Sequence, residues 1–417
     1  MSTYPAQLPI VPFTRPVGGA VTLPGSKSIT NRALMLAALS PTTVTLAGAL
    51  FSRDSRIMVG ALQALGFAVE VDELGLTIRV EGRGGQIPAR EATIDVGNAG
   101  TAARFLTAMV CLRPDGVYHF DGDEAMRRRP IGALLGALES QGAKASARSF
   151  PFTLRTAGIP GGAVELDASE SSQMLSALLM VAPHAAAPLT VALKGAVGSK
   201  PFVTMTEEMV KQFAAGPERY DIEGDASAGS YFLALPLVVG GAVELLNYGG
   251  TLQGDVKFGD VLADVGLTRQ ESGGALNAIF PPGGARRGVT RSFREFSDTF
   301  LTLAAIAPLL EGPTKISGIA HTRKQETDRV AGMARELTKL GQRVIETEDA
   351  LEIHPEPLRA GVTIETYQDH RFAMSFGILG CHDLHGDGRP WLTIADPGCC
   401  AKTFPTFFDV LARLRAG

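Results

Sequence analysis

Six segments of this chain share one design, and that repetition limits the folds open to it. They are "VTLPGSKSITNRALMLAAL", "IDVGNAGTAARFLTAMV", "VELDASESSQMLSALLM", "YDIEGDASAGSYFLALPL", "FREFSDTFLTLAAI" and "ETYQDHRFAMSFGIL". Each starts with a short alternating or β-branched run, the pattern of a strand. A small polar turn follows, then a helix rich in Ala, Leu, Met and Phe. Aligned at Arg32, Arg104, Gln173, Ser230, Thr299 and Arg371, the segments recur at intervals of 72, 69, 57, 69 and 72 residues. Such a period predicts six copies of one α/β unit, arranged as two lobes of three. The interval of 57 predicts that the third unit has lost some structure. A chain of 417 residues is also too long for one ordinary core.

The helical parts are too apolar for a single buried face. Runs such as "ALMLAAL" and "SALLMVA" predict helices covered on most sides. Their polar N-terminal turns then gather at the lobe faces. Each turn offers unpaired N–H groups and a partial positive charge, which suit anions. A cleft between two such lobes is expected to hold a small, highly anionic ligand. We place one lobe at 25–222 and the other at 1–24 plus 223–417. "AGPERYDIEGD" is the crossing between them, and the strand "GGAVTLPG" before the first helix is assigned to the second lobe.

Charge narrows the partners. A formal net charge of -4 argues against nucleic acid or a membrane surface. The longest apolar runs, such as "YFLALPLVVGGAV", fall short of a membrane span. The N-terminal "MSTYPAQLPIVPF" lacks the basic-then-apolar pattern of a signal peptide. The four cysteines, Cys111, Cys381, Cys399 and Cys400, form no C-x-x-C and no zinc-like spacing with histidine. "HDLHGDG" reads as a polar turn rather than a metal site. A reduced, cytoplasmic setting without a metal or other cofactor is expected.

The stretch "LPGSKSITNRAL", Leu23 to Leu34, carries a glycine, a lysine and hydroxyls at a strand-to-helix turn. That is phosphate-binding chemistry, but G-x-x-x-x-G-K-[ST] is not present. A second polar helix start, Ser171, Ser172 and Gln173, exceeds what an N-cap requires. In "MRRRP", Arg127 and Arg128 read as a solvated basic loop.

Eight motifs, in order along nearly the whole chain, resemble the EPSP synthase (3-phosphoshikimate 1-carboxyvinyltransferase) family. They are "LPGSKSITNRA", "GNAGTAAR", "DGDEAMRRRPIG", "SSQMLSALLM", "GSKPF", "QETDR", "DHRFAM" and "AKTFP". The resemblance implies an α/β (α+β) fold: a two-lobed inside-out barrel with three βαβαββ-type units per lobe and the active site in the interlobe cleft. It implies metal-free transfer of the enolpyruvyl group of phosphoenolpyruvate to the 5-hydroxyl of shikimate 3-phosphate, a step of the shikimate pathway to aromatic amino acids. It also implies a monomer, and glyphosate as an inhibitor at the phosphoenolpyruvate site.

By the same resemblance, Lys27 touches both substrates. Ser28, Arg32, Ser171, Ser172, Ser199, His321 and Gln325 serve shikimate 3-phosphate, and Gln173 lies between the two. Gly100, Arg129, Arg329, Arg371 and Lys402 serve phosphoenolpyruvate. Asp298 accepts the proton of the attacking hydroxyl and also binds the acceptor, Glu326 is the partner acid, and Lys27 and His370, the latter near the pocket, complete the catalytic residues. Two phosphates and two carboxylates call for this many cations, held through charge-assisted bonds.

Four positions depart from the commoner family pattern. Gln325 stands for a lysine, Phe202 for a tyrosine, His321 for an asparagine and Phe105 for a proline. The lost charge at 325 leads to an expectation of weaker shikimate 3-phosphate binding. UDP-N-acetylglucosamine enolpyruvyl transferases share the fold and donor, but usually carry a cysteine in the loop matching Asp121 to Pro130, where this chain has none. A catalytically silent anion binder is the remaining alternative, opposed by intact Lys27, Asp298, Glu326 and Arg371.

Overall fold

The computed structural model describes residues 4–195, 200–281 and 283–417. The chain divides into two compact units: a first, Gly25–Glu223, and a second made of Met1–Pro24 and Gly224–Gly417.

Each repeated segment forms a helix: α1 (Lys27–Leu39), α2 (Gly100–Val110), α3 (Ser172–Val181), α4 (Ala226–Val239), α5 (Phe300–Ile306) and α6 (His370–Gly380). Local chemistry sets their ends. The Ser26 hydroxyl accepts from the Ile29 N–H to start α1, and Asp225 and Asp369 cap α4 and α6 in the same way. Pro41 follows the last residue of α1 by two and excludes further helix. Gly240, at φ 76°, ends α4. Every residue of α2, α5 and α6 is buried, as the apolar runs predict.

Among the described residues, each unit builds three sheets around these helices. In the first unit, Thr43–Ala47 pairs in parallel with Arg219–Asp221 and antiparallel with Thr77–Glu81, beside Val69–Asp72. Glu91–Asp95 and Val117–Asp121 form the next parallel pair, continued antiparallel by Phe152–Arg155 and Lys144–Ala145. The third sheet is only the parallel pair Gly162–Asp167 and Leu189–Lys194. Among the described residues the third repeat thus lacks the antiparallel hairpin of its neighbours, which accounts for its short interval.

The second unit repeats the plan. Ala20–Val21, Gly241–Leu245, Ala275–Phe280 and Thr268–Ser272 form one sheet. Thr290–Ser292, Thr314–Ser317, Ala350–His354 and Arg343–Glu346 form another. In the last, Val362–Ile364 pairs in parallel with Leu392–Ala395, which pairs antiparallel with Gln7–Pro9. Helices α4, α5 and α6 pack on one another inside this unit. Tyr231, Phe232, Phe404 and Phe407 meet edge-on or tilted, with ring centroids 5.5–5.8 Å apart. Burying each such ring contributes about 1.5–3 kcal/mol.

The strand before α1 lies in a sheet of the second unit, and the strand before α4 in a sheet of the first. The chain therefore passes between units twice, at Pro24–Gly25 and Glu223–Gly224. Gly25 has no alternative at this point. A Cβ there would sit 2.1 Å from the Gly48 carbonyl oxygen. Among the described residues, no helix is long and apolar enough to cross a membrane, and no group of three metal-ligating side chains gathers.

Candidate active site

In the first unit, most of the candidate residues lie in or beside the first turns of helices. Lys27 opens α1, and its ammonium is 3.7 Å from the buried carboxylate of Asp54. Asp54 lies in the first turn of the helix Arg53–Ala64, held by a capping box between Ser52 and Ser55. Ser28 is partly exposed in the same first turn of α1. Arg32, one turn on, is only 1% exposed. It donates to the Ser28 carbonyl at 3.0 Å, the Thr206 hydroxyl at 2.7 Å and the Ser176 hydroxyl at 3.2 Å.

Gly100 opens α2, and its missing side chain has a use. A Cβ there would lie 2.5–2.8 Å from the guanidinium atoms of Arg129. Arg129 donates to the Asn98 side-chain oxygen at 3.3 Å. Arg104 ties this arrangement together by donating to the carbonyls of Gly100 and Pro130 from opposite ends of its fork. Arg127 and Arg128 point away into exposed pairs with Asp121 and Glu124. At α3, the Ser171 hydroxyl accepts from the Gln173 N–H, Ser172 is buried, and the Gln173 side-chain oxygen is buried without a partner among the described residues. Ser199 lies outside the described residues.

In the second unit, three acids and three cations interlock. Asp298 sits in a 3-10 turn before α5 and is 20% exposed. It accepts from Arg329 at 3.0 Å and from Arg371 at 2.6 Å. Glu326 accepts from Arg329 at 2.8 Å and from Lys402 at 2.9 Å. Asp369 accepts from Nε of Arg329 at 2.7 Å, and its other oxygen caps α6 by accepting from the Arg371 N–H. Gln325 presents its side-chain oxygen to Nη1 of Arg329.

Burial alone would lower the pKa of Arg329. The carboxylates of Asp369, Glu326 and Asp298 outweigh it and raise it above the ordinary value. Arg371 behaves likewise, with burial opposed chiefly by Asp298. Its Nη1 also donates to the Tyr231 hydroxyl at 3.4 Å. His321 bonds the Ser297 hydroxyl at 2.8 Å, and burial lowers its pKa, which favours the neutral ring. His370, the first residue of α6, is buried with Nδ1 3.6 Å from Asp369.

Sequence reading passed over Asp54, Asp369 and Asp255. Asp369 precedes His370-Arg371 and looks like a plain cap. Asp54 could have been suspected as a lone acid inside the serine-rich helix start "FSRDSR". Asp255 is buried, and the Ser227 hydroxyl donates to it. Burial and then the nearby charge of Asp298 push its pKa up to about 7. The arrangement in the second unit can hold anions on Arg329, Arg371 and Lys402 while Asp298 and Glu326 remain placed to move protons.

Solved structures share the fold. The fold matches an EPSP synthase from Acinetobacter baumannii with a TM-score of 0.79, at 24% identity and 98% coverage of both chains. It matches the enolpyruvyl transferase NikO from Streptomyces tendae with a TM-score of 0.73, at 17% identity and 98% and 97% coverage. This is the two-lobed fold of the enolpyruvyl transferases.

Sequence comparison is more specific. The model of the family EPSP synthase (3-phosphoshikimate 1-carboxyvinyltransferase) matches residues 12–411. A curated 3-phosphoshikimate 1-carboxyvinyltransferase from Opitutus terrae is 54% identical over 99% of this chain and 98% of its own. One from Serratia proteamaculans is 39% identical over 95% and 96%. The chain belongs to the EPSP synthase family.

Proposed function

We propose a division of labour among these residues for an enzyme that transfers the enolpyruvyl group of phosphoenolpyruvate to the 5-hydroxyl of shikimate 3-phosphate. Family membership across nearly the whole chain supports that reaction and its place in the shikimate pathway. The observation that carries the division is the double pairing of Asp298 with Arg329 and Arg371. It fixes a carboxylate beside two guanidinium forks suited to phosphate and carboxylate.

Asp298 takes the proton of the acceptor's 5-hydroxyl as its oxygen attacks C2 of phosphoenolpyruvate. Glu326, in contact with Lys402, works with Lys27 to protonate the methylene carbon, C3. The resulting tetrahedral ketal loses its phosphate and returns a proton from C3. Arg129, Arg329, Arg371, Lys402 and the Gly100 backbone hold phosphoenolpyruvate. Ser28, Arg32, Ser171, Ser172, Ser199 and His321 hold the acceptor, with Gln173 and Lys27 between. His370 and Gln325 support the cation cluster. Glyphosate competes for the phosphoenolpyruvate residues. The family pattern further supports a cytoplasmic monomer with lobes at 25–222 and 1–24 plus 223–417.

Phosphate release tests this reading. Release is expected with phosphoenolpyruvate plus shikimate 3-phosphate, and not with phosphoenolpyruvate plus UDP-N-acetylglucosamine. Release with only the sugar nucleotide would overturn the substrate reading, and none with either would favour a silent anion binder.

A further inference from the structure

We propose that Phe105 and Phe202 are positioning residues for the acceptor, shikimate 3-phosphate, and act through Arg32, whose guanidinium they bracket and keep dry. The proposal rests on the reading that Arg32 serves that acceptor. Phe105 comes from α2 and is fully buried, and Phe202 comes from the first turn of the helix Lys200–Ala214. Their ring centroids lie 5.2 and 5.8 Å from the Arg32 guanidinium carbon.

The hydrogen-bond inventory gives the bracket its meaning. A guanidinium has five N–H donors. Those of Arg32 meet the Thr206 hydroxyl, the Ser28 carbonyl, the Ser176 hydroxyl and, at 3.4 Å, the Phe202 carbonyl. All four acceptors are neutral, and one N–H on Nη1 has no acceptor among the described residues. No carboxylate lies within ion-pair reach of Arg32 among the described residues. Arg329 and Arg371 differ, since each holds at least one carboxylate.

A buried cation without a counter-ion is unfavourable, because desolvation is not repaid by charge pairing. Burial pulls the pKa of Arg32 down, with no acid opposing it, yet an arginine keeps its proton at working pH. The two ring faces offset part of the lost hydration without neutralising the charge. The field of Arg32 therefore stays available to an anion at the start of α1, where its own fork grips the Ser28 carbonyl. Water admitted beside the guanidinium would screen that field. The family's commoner residues, proline at 105 and tyrosine at 202, would remove one ring and add a hydroxyl to the other. The bracket is thus particular to chains carrying an aromatic ring at 105 as well as at 202.

The opposing reading is that both rings are ordinary core. A double-mutant cycle separates the two, using Phe105→Leu, Phe202→Leu and Arg32→Gln, alone and paired, with KM and kcat measured for each substrate. Arg32→Gln is expected to raise KM for shikimate 3-phosphate by about 10-fold or more. Each leucine variant is expected to raise the same KM about 3- to 10-fold, with kcat and the KM for phosphoenolpyruvate changed less than about 2-fold. In the Arg32→Gln background the leucine variants should add less than about 2-fold. If Arg32→Gln raises KM and the leucine variants do not, the bracket is refuted while the site reading stands. Equal leucine effects with and without Arg32 would mark them as core residues only. An unchanged KM in Arg32→Gln would overturn the site reading and the bracket with it. Should a leucine variant not fold, Phe105→Met and Phe202→Met are read in the same cycle. The thermal shift induced by inorganic phosphate then gives a readout independent of turnover.

Discussion

Gln325 turns its side-chain oxygen onto Nη1 of Arg329, the nitrogen that also donates to Asp298 at 3.0 Å. The glutamine is thus an acceptor inside the cation cluster. A lysine here would set a second positive charge against a buried guanidinium, and like charges at that distance repel. Loss of charge at 325 suggested weaker acceptor binding, and the contact with Arg329 points the other way for this chain. We expect Gln325→Lys to lower kcat/KM by about 10-fold, or about 1.4 kcal/mol, without lowering KM for shikimate 3-phosphate. Steady-state kinetics decide it, and a lower KM at unchanged kcat would refute the expectation.

Gly100 and Arg129 fit only because the glycine lacks a side chain. A methyl group at 100 would stand 2.5–2.8 Å from guanidinium atoms at the far end of a flexible chain, so the arginine must move. Gly100→Ala should leave the fold intact and raise KM for phosphoenolpyruvate about 10- to 100-fold, or about 1.4–2.7 kcal/mol. KM for shikimate 3-phosphate should change much less. Equal changes in both would show that the helix start as a whole had shifted.

Asp298 holds two guanidinium groups, and an amide cannot replace its charge or accept a proton from the hydroxyl. We expect Asp298→Asn to lower kcat by about 10²- to 10⁴-fold, the range of general-base losses. Far-ultraviolet circular dichroism should be unchanged, because the asparagine oxygen still accepts from one arginine. A kcat within about 3-fold of the parent would exclude the base role.

Asp255 gives a pH-dependent signature in stability. Burial and the charge of Asp298 raise its pKa from the usual 3.8 to about 7. Between these values the folded chain holds a proton that the unfolded chain has lost. This contribution is therefore fully present below about pH 4 and is lost as pH rises through about 7, with a slope of at most about 1.4 kcal/mol per pH unit. Asp255→Asn removes it. Thermal melts at pH 5 and pH 8 should show the variant losing less stability than the parent across that interval. Parallel losses would place the Asp255 pKa near its ordinary value.

The sequence made the helices easy to find and their charge partners hard to find. A polar residue before an apolar run marks α1, α3, α4 and α6, because a cap and a buried helix are both local properties. Arg129 and Lys402 were reachable only through motif resemblance, since a basic residue in a loop carries no sign of its surroundings. Asp369 was missed because one of its oxygens caps α6 while the other holds Arg329, 40 positions away in the chain. Nothing in "SITNRAL" indicates that Arg32 is buried between two aromatic rings. That property is set by residues 73 and 170 positions further along. The loss in the third repeat was visible as spacing, while the identity of the missing piece, an antiparallel hairpin, needed the sheet pairings.

The exchanged strands also impose an order on synthesis. The first unit contains only residues 25–223, so all of its partners exist once the ribosome has passed its last helix and strand. The second unit must wait. Ala20–Val21 has no partner until Gly241–Leu245 is made, and Gln7–Pro9 none until Thr393–Ala395 emerges. Closing loops of that length is slow, and strand edges left open in the meantime are prone to pair wrongly. Both waiting segments are short: three residues with a proline among them at Gln7–Pro9, and two at Ala20–Val21. Brevity and proline both make a waiting edge a poor template for another nascent chain.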